Sequence, residues 1–165
     1  MKVVFQLAVV TLLTVAGILL WSYLFPSPQH IIRARLNSLA HVASFNSQQG
    51  ILAGFNAAHN VGDFFSTNVE VDLDMTGNPD VTLTGRDQIV QTVMRTHATL
   101  NELKVDFPDL NITVGPDKNT ATADLTIRAQ IDGDGNSVAE EMKFTFQKIG
   151  GQWLITHIET VQVLT

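Results

Sequence analysis

The sequence predicts an α+β domain in which N-terminal helices pack on a curved antiparallel sheet, preceded by one transmembrane helix. Three observations lead to this class. Residues 3–25 carry no charge, apolar residues then recur at helical spacing, and four long strand candidates with short connections close the chain. The organisation expected from this pattern is an anchor at residues 1–27 and a folded domain at residues 28–165.

The uncharged segment at residues 3–25 is long enough to cross a membrane as a helix. At ~1.5 Å per residue it spans roughly 35 Å, slightly more than the ~30 Å hydrocarbon core. Trp21 and Tyr23 lie at one end, where amphipathic rings favour the interface, and Pro26 and Pro28 follow. A cleaved signal peptide would have a shorter apolar run that ends in small residues, so a retained membrane anchor is the favoured interpretation.

The charges that flank the anchor bear on which side of the membrane holds the domain. Lys2 and the terminal amine favour a cytoplasmic N-terminus, whereas Arg33 and Arg35 follow the segment closely and argue the other way. A short N-terminal tail with a cation is typical of a signal anchor. We therefore expect a single-pass membrane protein whose C-terminal domain is extracytoplasmic, in the periplasm.

Composition excludes several classes of function. The formal net charge is −6, and all 16 acidic residues lie at or beyond Asp63. Nucleic-acid binding needs clustered Lys and Arg to displace counterions from phosphates, so no nucleic-acid partner is expected. The chain has no cysteine, which removes disulfides, thiolate zinc sites and cysteine nucleophiles together.

Two stretches after the anchor have apolar residues at helical spacing. The first, Gln29–Ser44, follows Ser27 and Pro28, which suit a helix cap and a first-turn proline. The second, Gln48–Asn60, has a weaker version of the pattern. The apolar positions are Ile32, Leu36, Leu39 and Ala43 in the first stretch and Ile51, Leu52, Phe55 and Ala58 in the second.

Strict alternation from Val69 to Met75 predicts a half-buried strand whose polar face holds Glu70, Asp72 and Asp74. Residues 77–80 suit a turn, and residues 81–84 suit a short return strand. The residue that ends this strand, Thr84, is expected to cap a helix over residues 85–100.

Four long strand candidates follow, joined by turn-rich segments. They are Leu103–Val114, Ala121–Ile131, Val138–Lys148 and Trp153–Leu164. Short turns between consecutive long strands predict an antiparallel meander. In the second candidate the odd-numbered residues are apolar and the even-numbered residues are polar, so one face should pack on helices and the other should meet water or a partner.

Three short motifs occur in a characteristic order: Phe64–Val71 between a helix and the first strand, Leu83–Ile89 at a Gly-Arg-x-x-Ile helix entry, and Phe144–Ile155 at the final hairpin. This order resembles the nuclear transport factor 2-like superfamily, in particular its polyketide-cyclase-like branch, over residues 29–165. The resemblance implies a cone-shaped domain of helices on a curved sheet. The superfamily includes isomerases, dehydratases, cyclases and non-enzymatic binding domains, and its members often dimerise.

The resemblance also implies a place for catalysis. In ketosteroid-isomerase-like members an Asp on the first strand acts as a base, and a Tyr helps to form the oxyanion hole. Asp72 or Asp74 would match the base, but the only tyrosine is Tyr23, in the predicted anchor. Isomerase chemistry would therefore lack one of its two groups.

Five residues are candidates for lining a pocket in the cone: Asp72, Asp74, His97, His157 and Glu159. His157 and Glu159 are expected to share a face of the last strand with Trp153 and Ile155, where they could form an acid–base pair or bind a polar ligand. Each candidate also has a structural interpretation. The aspartates could lie on a solvated strand face, His157 and Glu159 could be an exposed polar pair, and His97 could lie at the rim of the core.

The loop Asp132-x-Asp134-x-Asn136 is similar to the start of a calcium loop. Such a loop needs Gly at its sixth place and a bidentate Glu at its twelfth, where this sequence has Ser137 and Lys143. A hairpin turn explains these residues better. The sequence also has no Gly-rich phosphate loop, nucleophile elbow or His-x-x-x-His zinc spacing, so we expect no metal and no cofactor.

The leading hypothesis is a membrane-tethered, non-enzymatic protein-interaction or ligand-binding module. Its partner surface would be the polar sheet face around Thr126, Arg128 and Lys143, and the partner would be a second copy or a protein of a membrane complex. The alternative is a membrane-bound isomerase-, cyclase- or dehydratase-like enzyme that uses the cone's cavity. Convergence of the five candidates on one closed apolar pocket would favour the enzyme, and an outward orientation would favour the binding module.

Overall fold

The structure is a computed structural model that describes residues 14, 26–46, 50–74, 81–133 and 135–161. Apart from Thr14, the predicted anchor at residues 3–25 lies outside the described residues, as does the predicted turn at residues 77–80. Within the part that is described, none of the helices has the length and apolar character that crossing a membrane requires.

Three helices are present among the described residues: α1 (Pro28–Ala43), α2 (Gly50–Gly62) and α3 (Arg86–Thr99). The predicted cap of α1 is confirmed, because the Ser27 side chain accepts a hydrogen bond from the His30 amide at 3.3 Å. The prediction that Thr84 caps α3 is wrong. Gly85 occupies the cap position with a φ of 86°, and the Thr84 amide donates instead to the Gln88 side chain at 2.9 Å.

The described strands form one eight-stranded sheet. They are β1 (Phe45–Asn46), β2 (Phe65–Leu73), β3 (Val81–Thr84), β4 (Glu102–Asp106), β5 (Leu110–Val114), β6 (Thr120–Ile131), β7 (Asn136–Ile149) and β8 (Gln152–Thr160). The order across the sheet is β1-β4-β6-β7-β8-β2-β3, with β5 also paired to β6. The predicted antiparallel meander is confirmed for β6, β7 and β8, whereas β2 joins the sheet parallel to β8.

Two predicted strands differ most from the structure. The candidate Leu103–Val114 is two strands, β4 and β5, which pair with opposite ends of β6. Pro108 lies in the break, where it has no amide to donate to a ladder. The first strand begins at Phe65 rather than Val69, because the Ile155 amide of β8 already bonds the Phe64 carbonyl at 2.9 Å.

One face of the sheet packs against the helices and forms the core. The buried cluster joins helix residues to strand residues from β2, β6, β7 and β8. Its largest fully buried side chains are Phe146, Ile32, Leu36, Ile155 and Val69. The alternation predicted for β6 is confirmed, since Ala121, Ala123 and Leu125 are buried on this face. We call this the helix face of the sheet and the opposite side the outer face.

Replacing Phe146 by Ala should destabilise the domain by about 3–5 kcal/mol, because it removes a large side chain that is 1% exposed and leaves a cavity between sheet and helices. Urea unfolding of the full chain in mild detergent, followed by circular dichroism, measures the change. Thr145→Ala is the matched control on the outer face and should cost less than about 1 kcal/mol. Equal effects of the two substitutions would contradict the assignment of faces.

Candidate functional site

A bulge in β8 determines which way the candidate residues near the end of the chain point. Phe146 pairs with Ile155 and Phe144 pairs with Ile158, so β8 has one more residue than β7 over this interval. The extra residue lets Ile155 and Ile158 both reach the core, although they are three positions apart. The expectation that His157 and Glu159 share a face with Trp153 and Ile155 is therefore wrong, since the bulge turns both polar side chains to the outer face.

The first strand of the predicted pocket, β2, also turns its carboxylates outward. Val69 and Val71 are buried in the core, and Glu70 and Asp72 point to the opposite side. Parallel pairing with β8 then places Glu70 across from His157 and Asp72 across from Glu159. Three of the five predicted residues thus come together, but on the outer face.

The neighbouring strands extend this arrangement into a polar cluster. Lys143 Nζ of β7 donates to Glu159 Oε1 at 2.7 Å, and Glu159 Oε2 lies 3.8 Å from His157 Nε2. On the other side, Thr82 Oγ1 of β3 donates to Asp72 Oδ1 at 2.9 Å. We call Glu70, Asp72, Lys143, His157 and Glu159 the outer-face cluster.

The contact between Lys143 and Glu159 shifts the pKa of both side chains. The hydrogen bond from Lys143 lowers the pKa of Glu159, and the same hydrogen bond raises the pKa of Lys143. Both side chains are 41% exposed, so water screens the pair and its contribution to stability is about 0.2–1 kcal/mol. The pair orients the Glu159 carboxylate more than it stabilises the fold.

Three side chains of the cluster have the chemistry of metal ligands. Glu70, Asp72 and His157 each offer one ligand atom, and these atoms lie within 4.8 Å of one another. The alternation of β2 indicated that Glu70 shares a face with Asp72. Its proximity to His157 depends on the parallel pairing of β2 with β8, which no local pattern in the sequence reveals.

The remaining predicted residues lie elsewhere. Asp74 follows the end of β2, is exposed, and donates its amide to Thr160 Oγ1 at 3.2 Å. His97 lies on the helix side of the sheet, in the last turn of α3, and its ring stacks on Phe45 with centroids 3.6 Å apart. Its Nε2 is buried without a hydrogen-bond partner among the described residues, and burial lowers the pKa of His97.

A cleft of about 530 Å³ lies on the helix side, where the end of α2 meets α3 and the start of β8. Two arginines line it, but both are engaged with the backbone. Arg35 Nη2 donates to the Asp63 carbonyl at 3.1 Å, and Arg86 Nε donates to the Phe65 carbonyl at 3.0 Å. None of the five predicted pocket residues lines this cleft.

The predicted partner surface lies on the outer face, further along β6 and β7. Thr126 is half-buried, and Arg128 Nη1 lies 3.9 Å from Asp106 Oδ1 of β4. The Arg128 side chain is 45% exposed, so its guanidinium remains open to an incoming group. Lys143 joins this surface to the outer-face cluster.

The loop that begins at Asp132 and is similar to a calcium loop forms a hairpin turn, and the Asp132 carboxylate binds backbone amides. Asp132 Oδ1 accepts hydrogen bonds from the amides of Asn101 and Glu102, each at 2.8 Å. It thereby ties the β6–β7 turn to the start of β4. Asp134 lies outside the described residues.

Comparisons with known proteins agree with this architecture. The family model of the SnoaL-like domain matches residues 34–159. No curated protein matches the sequence.

Among solved structures, an NTF2-like protein with a cystatin-like fold from Novosphingobium aromaticivorans has a TM-score of 0.61 at 18% identity, covering 91% of this chain and 87% of its own. A proposed scytalone dehydratase from the same organism has a TM-score of 0.58 at 14% identity, covering 82% and 84%. Yeast UBP3-associated protein BRE5 has a TM-score of 0.59 at 17% identity, covering 84% and 100%. At these identities the similarity shows the fold alone, and it confirms the α+β NTF2-like architecture.

Stability should fall as the pH drops below about 6.5, because the unfolded chain protonates His97 more readily than the folded chain. The loss develops between the ordinary histidine pKa and the lower folded value. His97→Phe should flatten this part of the pH profile of thermal unfolding. His41→Ala, at an exposed position of α1, should leave the slope as in the wild type. If the His97→Phe variant kept the pH dependence of the wild type, His97 would not be the source of the acid-induced loss of stability.

Proposed function

We propose that this chain, which belongs to the SnoaL-like domain family, is a membrane-tethered binding domain without catalytic activity that holds a protein partner on the outer face of its sheet. One observation carries the proposal. The core on the helix face of the sheet is filled by large apolar side chains, and the cleft beside it is lined by none of the five polar candidates, three of which meet on the opposite face.

The enzymatic alternative needed the five candidate residues to meet in an enclosed apolar space. Asp72, His157 and Glu159 instead meet on the outer face, and His97 is separated from them by the sheet. An exposed acid and base are screened by water, so they gain little of the pKa adjustment that catalysis requires. These placements favour binding over chemistry in the interior.

The fold itself is compatible with either function. One matched structure is described as a proposed dehydratase, and another as a protein associated with UBP3. Since one fold supports unrelated activities, the arrangement of side chains has to decide between them.

The N-terminal sequence supports the membrane tether. The uncharged run at residues 3–25 has the length of a membrane span, and Lys2 favours a cytoplasmic N-terminus. This orientation would place the folded domain outside the cytoplasm, where it meets periplasmic or membrane-bound proteins.

The partner surface is Thr126, Arg128 and Lys143. The Arg128 guanidinium lies 3.9 Å from Asp106 and is half-exposed, so it can donate two hydrogen bonds to the carboxylate of a partner. The partner we propose is therefore a protein, either a second copy or a member of a membrane complex, that presents an acidic group to this face.

One experiment on the full chain in cells tests both parts of the proposal. A photo-crosslinking amino acid at position 126 should give a defined protein adduct in the membrane fraction, and the chain should remain in that fraction after alkaline extraction. The same amino acid at position 37, exposed on α1, should give no adduct and serves as the matched control.

Arg128→Glu should lower the yield of the adduct about tenfold, because the reversed charge would face the partner's carboxylate. Removing residues 1–27 should release the chain from the membrane fraction. Adducts of equal yield at positions 126 and 37 would contradict the surface, and a full chain that washes off the membrane would contradict the tether.

A further inference from the structure

We propose that Glu70, Asp72 and His157 form a binding site for one divalent transition-metal ion of the zinc class. The inference goes beyond the binding function proposed above, because it concerns different residues of the outer face and does not depend on the membrane tether. It also revises the expectation from the sequence that no metal is bound.

The register of β2 and β8 brings the three ligands together. Glu70 lies directly across from His157 in the parallel pair of β2 and β8, and Asp72 is the next residue on the same face of β2. Both strands lie inside the sheet, between β7 and β3, so their backbones are held by ladders on both sides. The three ligands therefore project from a rigid base.

The donor atoms of the three side chains converge, and they are of the types that bind zinc-class ions. One imidazole nitrogen and two carboxylate oxygens lie within 4.8 Å of one another. Ligand atoms of a tetrahedral zinc site are about 3.3 Å apart, given metal–ligand bonds of about 2.0–2.1 Å. Glu70 is exposed, and Asp72 and His157 are half-buried, so small side-chain rotations can close the difference without disturbing the core.

The neighbours of the three residues support coordination. Thr82 Oγ1 donates to Asp72 Oδ1 and orients that carboxylate, as outer hydrogen bonds commonly orient metal ligands. Lys143 donates a hydrogen bond to Glu159 Oε1. The other oxygen, Oε2, lies 3.8 Å from His157 Nε2, close enough to interact with the imidazole or with an ion bound beside it. Asp72 is thus oriented by a hydrogen bond, and His157 has a carboxylate oxygen beside its ring.

Charge balance also favours a cation. The carboxylates of Glu70, Asp72 and Glu159 lie on neighbouring positions of β2 and β8, and Lys143 forms an ion pair with Glu159 alone of the three. A divalent ion would relieve the repulsion that remains. An imidazole together with two carboxylates selects zinc-class ions over magnesium, which prefers oxygen ligands and retains its water.

Three protein ligands leave at least one coordination position open to solvent. Sites of this kind hold a water molecule or a group from a ligand at that position. The outer face would then present a metal ion with an exchangeable ligand, and the group that replaces the water would be an oxygen or nitrogen donor.

Calorimetric titration of the full chain in detergent, after removal of metal by a chelator and of any affinity tag, tests the site with zinc ion alone. We expect one zinc ion per chain. His157→Ala, Asp72→Asn and Glu70→Gln should each weaken binding at least about tenfold, because each removes one ligand. Acidification should also weaken binding, since only a neutral imidazole can donate its lone pair to the metal.

Two control variants separate coordination from charge and from histidine content. Asp74→Asn removes one negative charge close to the site but no ligand, and should change affinity less than about threefold. His41→Ala removes an exposed histidine of α1 and should change nothing. No zinc uptake by the wild type, or uptake with equal affinity in all three ligand variants, would overturn the proposal.

A measurement on the wild type avoids any dependence on how the variants fold. Cobalt ion in place of zinc should broaden the backbone amide resonances of residues 70–72 and 157 before those of the rest of the chain. Broadening that begins at His30, His41 or His59 instead would place the metal on the helices and contradict the site.

Discussion

Burial of aromatic and aliphatic side chains on the helix face of the sheet is the constraint on which the other features of the domain depend. Phe144, Phe146 and Trp153 are at most 2% exposed, and they meet Ile32 and Leu36 of α1 in one cluster. Each side chain of this size contributes on the order of 1.5–3 kcal/mol through its removal from water. A strand that failed to keep its apolar residues on this face would lose several such contributions at once, so the backbone adapts to them.

The bulge in β8 is that adaptation. It brings Ile155 and Ile158 to the same face, and the cost of one irregular position is offset by the burial of both. The same irregularity turns His157 and Glu159 to the outer face, where β2 supplies Glu70 and Asp72. The outer-face cluster is thus a consequence of how the core is filled, and it joins side chains from segments that are far apart in the sequence.

Local patterns in the sequence predict much of the fold. Helical spacing located α1, alternation located β6 and the faces of β2, and the motif order indicated the family. Three features depended on contacts between distant segments: the split of β4 from β5, the parallel pairing of β2 with β8, and the bulge near Thr156. Of the five candidate residues, the structure brings together Asp72, His157 and Glu159, but strict alternation through β8 assigned the last two to the wrong face. The position of His97 depends on its stacking against Phe45, a contact between segments far apart in the chain that no local pattern predicts.

The side of the sheet to which His157 points can be measured directly, because the chain contains no cysteine. Single-cysteine variants of the full chain at positions 155, 157 and 158 can be labelled with a maleimide under native conditions. The bulge predicts rapid labelling of His157→Cys and protection of Ile155→Cys and Ile158→Cys by about 100-fold or more, since buried thiols react only after local opening. Regular alternation would give equal labelling at positions 155 and 157 and would contradict the arrangement described for the outer face.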